Sequence, residues 1–217
     1  MRPLGSGESL VDHWYDRPGW TAATRYLTWH LLPEAAALRR SVEEHHRVLA
    51  HVENLDLVPV PWLHVTVQGV GFADRVGVEA RQAVVAAARR HVRQLPPVEL
   101  SLAPAAPYRE SVGMRAGPDA PVRALRDALR AAVREALGDR GVEGDDDDQV
   151  RPHLSLAYAC GAVPADRVRA AVAPVVDRGV DVRIDRVSLI ELRKEGHLYC
   201  WQRLADVELA GVRPGSA

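Results

Sequence analysis

Two short segments, Leu63-His64-Val65-Thr66-Val67 and Pro152-His153-Leu154-Ser155-Leu156, carry side chains in the same order. Each reads histidine, apolar residue, hydroxyl residue, apolar residue, and this alternation predicts a strand. Successive side chains of a strand point to opposite faces. The spacing therefore puts His64 and Thr66 on one face, with Leu63, Val65 and Val67 on the other. By the same count His153 and Ser155 share a face, and Leu154, Leu156 and Tyr158 lie opposite. Each strand has one face to bury and leaves an imidazole and a hydroxyl on the other. With one such strand in each half of the chain, a pseudo-twofold fold brings both polar faces to one cleft.

The surrounding sequence repeats a rhythm of strands and helices. Arg25 to Leu32 is aromatic and aliphatic and ends at Pro33, which predicts a strand; a helix follows from Glu34 to about Val52. Pro59 and Pro61 break the chain before a strand at Trp62–Gln68. A helix is expected at about Val78–Gln94, ended by Pro96 and Pro97, then strands at Val98–Ala103 and Ser111–Arg115. The second half continues with a helix from Pro121 to Leu137, stopped by Gly138. After the polar loop Asp139–Gln149 come a strand at His153–Ala159 and a helix at about Ala165–Val176. A hairpin closes the chain, with strands Val187–Arg193 and Leu198–Val207 and its turn at Glu195-Gly196. Helices and strands alternate but hairpins are frequent, so the fold class is α+β rather than a doubly wound parallel sheet. Residues 1–20 are polar and without periodicity. They are read as an N-terminal arm, anchored by Trp14, Tyr15 and Trp20, on a single bilobal domain at 21–212.

Composition narrows the partners. The 217 residues are 47% hydrophobic, enough for a substantial core. A net charge of −1 argues against a stable nucleic-acid coat or binding to an anionic membrane, yet leaves room for a local phosphate site. Cys160 and Cys200 are too few and too far apart for a disulfide framework. The first residues have no apolar signal region and no run reaches membrane-spanning length. The expectation is a cytoplasmic monomer with reduced thiols.

The chemistry of the paired segments follows from their side chains. An unperturbed imidazole titrates near neutrality, so two in one cleft supply a general base and a general acid. The hydroxyls of Thr66 and Ser155 can donate to the non-bridging oxygens of a phosphate held between the rings.

On these residues the chain resembles the 2H phosphoesterases, a family defined by two His-x-Thr/Ser motifs. LHVTVQGVG is similar to the family's first motif, Gly71 included, and RPHLSLAY to the second, with Pro152 ahead of the histidine. RYLTWHLLPE resembles the family's first strand leading into a Pro-Glu helix start, and the closing hairpin with Tyr199 also fits. The likeness spans about residues 22–210. It implies two similar lobes, each an antiparallel sheet with outer helices, flanking a central groove. It also implies chemistry with no metal and no cofactor, catalysed by His64 and His153 with Thr66 and Ser155 on the phosphate. The activity expected is opening of 2',3'-cyclic phosphates of nucleotides or RNA ends, or of a related ribose cyclic phosphate. The nearest pattern is the bacterial 2'-5' RNA ligase and cyclic phosphodiesterase branch. Ligases there often carry Arg five positions after the second histidine. Here that position is Tyr158, which argues against ligation as the main activity. Arg151, Arg25 and Arg115 are the candidates to replace that charge. A nucleotide-binding module without turnover is the alternative from another class, and two intact motifs argue against it.

Other residues carry weaker signals. Trp62 shares the expected face of His64 and is placed to stack on a base, although groove-wall packing explains it equally well. Gln68 falls on that same face by strand alternation, and the facing of Trp29 is left open. Trp29, Trp62, Gln68, Arg151 and Tyr158 complete the list of candidate substrate contacts. His45, His46 and His51 lack metal-ligand spacing and read as a solvated helix surface. The run Asp145–Asp148 lacks the spacing of a calcium loop and reads as a solvated loop.

Overall fold

The computed structural model describes residues 2–14, 21, 23–138, 151–175 and 179–210. Tyr15, Trp20 and the run Asp145–Asp148 lie outside the described residues. The described strands are β1 (Ser9–Leu10), β2 (Tyr26–Leu31), β3 (Leu55–Leu57), β4 (Val65–Phe72), β5 (Val98–Leu102) and β6 (Ala106–Pro107). They continue with β7 (Ser111–Gly117), β8 (His153–Ala159), β9 (Val163–Pro164), β10 (Val180–Ile184), β11 (Arg186–Glu195) and β12 (Leu198–Glu208). The helices are α1 (Ala36–Leu49), α2 (Val78–Val92), α3 (Asp119–Leu137) and α4 (Ala165–Val172).

The strands form two antiparallel sheets and a small ribbon. The first sheet runs β12-β11-β2-β4 and ends on the strand of the first motif; the second runs β10-β5-β7-β8-β3, with β6 also on β7. Helices α2 and α3 cover the first sheet through β12 and β4, and α1 covers the second through β8, β10 and β3. The fold is thus α+β with two antiparallel sheets and helices outside. The sheets do not correspond to the halves of the chain, because β2 and β4 come from the start and β11 and β12 from the end. Local periodicity cannot reveal this, since it says nothing about which strands pair.

The apolar pattern explains which helix faces are buried. Leu38, Val42, His45 and Leu49 fall at intervals of one turn along α1, and all four are buried. His45 therefore occupies a core position, with Nδ1–H donating to the Ser41 carbonyl at 2.8 Å. His46 is half-buried, and its Nε2 lies 3.2 Å from the Leu156 carbonyl on β8. Of the three histidines expected on a solvated surface, only His51 is exposed. A histidine that falls within the apolar stripe is buried whatever its spacing to other histidines.

Residues 4–14 of the N-terminal segment are held against the second sheet and β9. Leu4, Val11 and His13 donate backbone N–H groups to Pro107, Arg109 and Ala159, each at 2.8 Å. Strand β1 pairs with β9, and Leu10 and Trp14 are buried. No described helix is long and apolar enough to cross a membrane.

Candidate active site

Strand β4 starts at Val65, one residue beyond the first motif histidine. Trp62 ends the 3-10 turn Val60–Trp62, where the sequence predicts a strand. Pro59 and Pro61 account for this, since each fixes its own φ and removes a ladder donor. The turn brings the Trp62 carbonyl 2.9 Å from His64 Nδ1. The second motif repeats the contact: His153 Nδ1 lies 3.0 Å from the Arg151 carbonyl. A carbonyl only accepts, so each Nδ1 carries the proton and each Nε2 is left as the reactive nitrogen. Both motifs thus set the imidazole tautomer with the carbonyl two residues upstream.

Both histidines line one pocket of about 230 Å³ with Thr66, Ser155, Tyr158, His13, Arg109, Glu110 and Ser111. The two sheets bring the motif strands together here, and β4 touches β8. Burial pushes His64 down to about 4 and also lowers His153, so both rings are neutral at pH 7.

Register irregularities change two of the faces expected from alternation. On β8, Ala157 pairs with Val112 but Ser155 with Gly113, so Leu156 is one residue extra. The bulge turns Tyr158 to the face of His153 and Ser155, opposite Ser111, and both line the pocket. Gly113 allows the close strand approach there, since a Cβ would sit 2.8 Å from the Leu154 carbonyl oxygen. On β4, Thr66 pairs with His30 but Gln68 with Trp29, so Val67 is extra. Gln68 is thereby turned away from Thr66. It is buried beneath α3, where its Oε1 accepts from Arg126 Nε at 3.3 Å. Trp29 shares that side and is fully buried in the core. A bulge of one residue inverts every face beyond it, which strict alternation cannot register.

The remaining candidates lie around the pocket. Trp62 does not line it; its ring meets Trp201 edge-on at 4.9 Å, and Trp201 in turn meets His64 at 5.1 Å. Arg151 is exposed and outside the lining, and contributes its backbone carbonyl. Arg115 is held by Asp119 through two contacts of 2.8 Å, and Arg25 donates to the Thr24 carbonyl at 2.9 Å; neither lines the pocket.

The structure adds residues that no motif marks. Arg109, in the loop between β6 and β7, brings the cation that position 158 lacks, and among the described residues no carboxylate pairs with it. His13 comes from the N-terminal segment. Its ring stacks on Tyr158 at 4.2 Å, and its Nδ1 lies 3.1 Å from a Glu110 carboxylate oxygen. His30 on β2 is buried and lies flat against His64, with its Nε2 3.4 Å from Thr66 Oγ1. Its Nδ1 is buried with no hydrogen-bond partner among the described residues. Leaving an acceptor nitrogen unpaired costs less than leaving an N–H unpaired, so the proton belongs on Nε2. That N–H then points at the Thr66 oxygen and leaves the threonine hydroxyl proton for the pocket. Only the one-residue shift on β4 places His30 opposite Thr66, and the sequence gives no sign of it.

Residues 30–196, more than half of the chain, match the 2'-5' RNA ligase superfamily, and the chain belongs to that family of 2H phosphoesterases. Solved structures share the fold. TT0787 of Thermus thermophilus is 18% identical, with a TM-score of 0.66 over 87% of this chain and 100% of its own. E. coli LigT in its apo form is 19% identical, with a TM-score of 0.59 over 86% and 98% of the two chains. A structure described as a phosphoesterase is 19% identical, with a TM-score of 0.60 over 86% and 99%. No curated protein matches the sequence.

Proposed function

We propose that this chain is a phosphodiesterase that opens 2',3'-cyclic phosphates of nucleotides or RNA ends by general acid/base catalysis between His64 and His153. The observation that carries the reading is the shared tautomer lock. Two imidazoles in one pocket are each held at Nδ1 by the carbonyl two residues upstream, leaving each Nε2 to exchange a proton.

In the free protein both rings are neutral. A bound phosphodiester carries a negative charge, which raises the proton affinity of the rings around it. One ring then holds a proton for the leaving ribose oxygen while the other stays neutral and accepts a proton from water. The O–P bond to the leaving oxygen breaks as the bond from water forms, and the two rings exchange roles in the reverse direction. Thr66, Ser155 and Arg109 face the non-bridging oxygens, where charge accumulates. No step in this scheme calls on a metal. E. coli LigT has been crystallised with 3'-AMP, ATP and phosphate, which supports a nucleotide as the substrate class.

The test is incubation of the purified chain with the four 2',3'-cyclic nucleotides without added divalent ion, reading products by chromatography. Ring opening to a nucleoside monophosphate supports the reading. Saturable binding without product identifies a nucleotide-binding module instead. Arg109 in the pocket favours a second reading, 2'-5' ligation, because it restores the charge whose absence at Tyr158 argued against it. RNA halves ending in 2',3'-cyclic phosphate and 5'-hydroxyl separate the two activities by product length.

A further inference from the structure

Asp56, Cys160 and His197 offer a carboxylate oxygen, a thiol and an imidazole nitrogen, all within 4.8 Å of one another. They come from three distant parts of the chain. Asp56 lies on β3, Cys160 directly follows β8, and His197 sits in the two-residue turn between β11 and β12. Asp56 and Cys160 thus belong to the second sheet and His197 to the first.

We infer that Asp56, Cys160 and His197 form a binding site for a zinc-like divalent ion that clips the two sheets together outside the two-histidine pocket. A mixed sulfur, nitrogen and oxygen set suits a borderline-soft ion rather than calcium or magnesium, which take oxygen ligands. The sulfur and nitrogen groups already converge on the Asp56 carboxylate. Asp56 Oδ2 accepts from Trp14 Nε1 at 2.9 Å and lies 2.9 Å from His197 Nδ1, with the Cys160 thiol within 4.8 Å. The thiol and the imidazole become ligands when their protons give way to a cation. The Trp14 N–H has no ligand atom to offer and remains as the outer partner that orients the carboxylate. The Trp14 ring stacks parallel to that of His197 at 5.3 Å, which fixes the imidazole plane.

The binding step balances simply. Bonds form from the metal to the Cys160 sulfur, the His197 Nδ1 and an Asp56 oxygen. The thiol S–H bond breaks and its proton leaves to buffer, while the imidazole moves its proton from Nδ1 to Nε2. Three protein ligands leave a fourth position for water, and His197 is exposed. Lys194 Nζ donates to the Trp14 carbonyl at 3.3 Å and lies 5.5 Å over the Trp14 ring.

The experiment titrates the full-length, tag-free chain with zinc chloride by calorimetry and with cobalt(II) chloride by absorption. The expected result is one saturable equivalent, with a thiolate-to-cobalt charge-transfer band in the near ultraviolet. Cys160→Ser should remove the band, and Cys160→Ser and His197→Ala should each weaken zinc binding by at least about tenfold. Zinc should raise the melting temperature of the wild type and not of Cys160→Ser. His51→Ala, which removes an exposed histidine elsewhere, should bind as the wild type does. So should the His64→Ala/His153→Ala double variant, which separates this site from the pocket. Circular dichroism confirms that each variant is folded. Wild-type zinc binding in Cys160→Ser and His197→Ala overturns the inference. So does the absence of a saturable equivalent, or binding that is lost only in the double variant.

Discussion

The imidazole of His30 lies flat on that of His64, with ring centroids 4.3 Å apart and planes 5° from parallel. Trp201 stands edge-on to both rings, at 5.9 Å from His30 and 5.1 Å from His64. One motif histidine is thus clamped by a second, buried histidine outside either motif. His30→Ala removes the surface against which His64 rests. It should destabilise the fold by about 1–3 kcal/mol. It should also lower kcat about tenfold with a smaller change in KM, because ring placement is felt most in the transition state. His30→Phe keeps a flat ring and should recover most of the stability. Steady-state kinetics and chemical denaturation check both, and equal kcat values for His30→Ala and wild type would contradict this role.

The same pair makes stability depend on pH. Burial holds His30 well below its ordinary range, and His64 is held near 4. In the unfolded chain both titrate near 6.5. Between those values the unfolded state binds more protons, so stability rises with pH. The contribution is complete above about pH 6.5 and is lost as the pH falls towards 4. Calorimetric melting across this window should show a steeper acid loss for the wild type than for His30→Phe, which keeps the ring but cannot be protonated. Parallel curves would contradict it.

Arg109 is exposed at the pocket, so its removal should spare the fold. Loss of a charge-assisted contact to phosphate should lower kcat/KM for a cyclic nucleotide by about 10- to 100-fold, with partial rescue by lysine. An unchanged kcat/KM in a folded Arg109→Ala variant would remove Arg109 from the site.

Gln68 gives the opposite expectation. It is buried and accepts from Arg126 rather than facing the groove. Gln68→Ala should cost about 1–3 kcal/mol of stability by removing one partner of a buried guanidinium, and should leave kcat/KM within about twofold. A large catalytic loss without destabilisation would place Gln68 back at the substrate.

Features set by local physics were legible in the sequence. The helix stop at Gly138 was readable, and β8 begins and ends where its alternation predicts. His64, Thr66, His153 and Ser155 were readable as a set because their spacing within each segment and their duplication are sequence properties. Relations made across the chain were not legible. The bulges at Val67 and Leu156 depend on the partner strand, and they decide that Tyr158 faces the pocket while Gln68 does not. His13 reaches the site because its backbone bonds Ala159, and Arg109 because a loop lies beside β7, neither of which leaves a periodic trace. His45 is polar by residue type, and only the packed face of α1 shows that it is buried.

In the proposed reaction His64 and His153 act as one catalytic unit. The most direct measurement is single-turnover opening of 2',3'-cyclic AMP by wild type, His64→Ala, His153→Ala and the double variant, with folding checked for each. Each single variant should lose about 10²–10⁴ in rate, and the double variant should lose little more than either, because neither ring works without the other. A single variant that keeps most of the wild-type rate, or losses that multiply in the double variant, would contradict it.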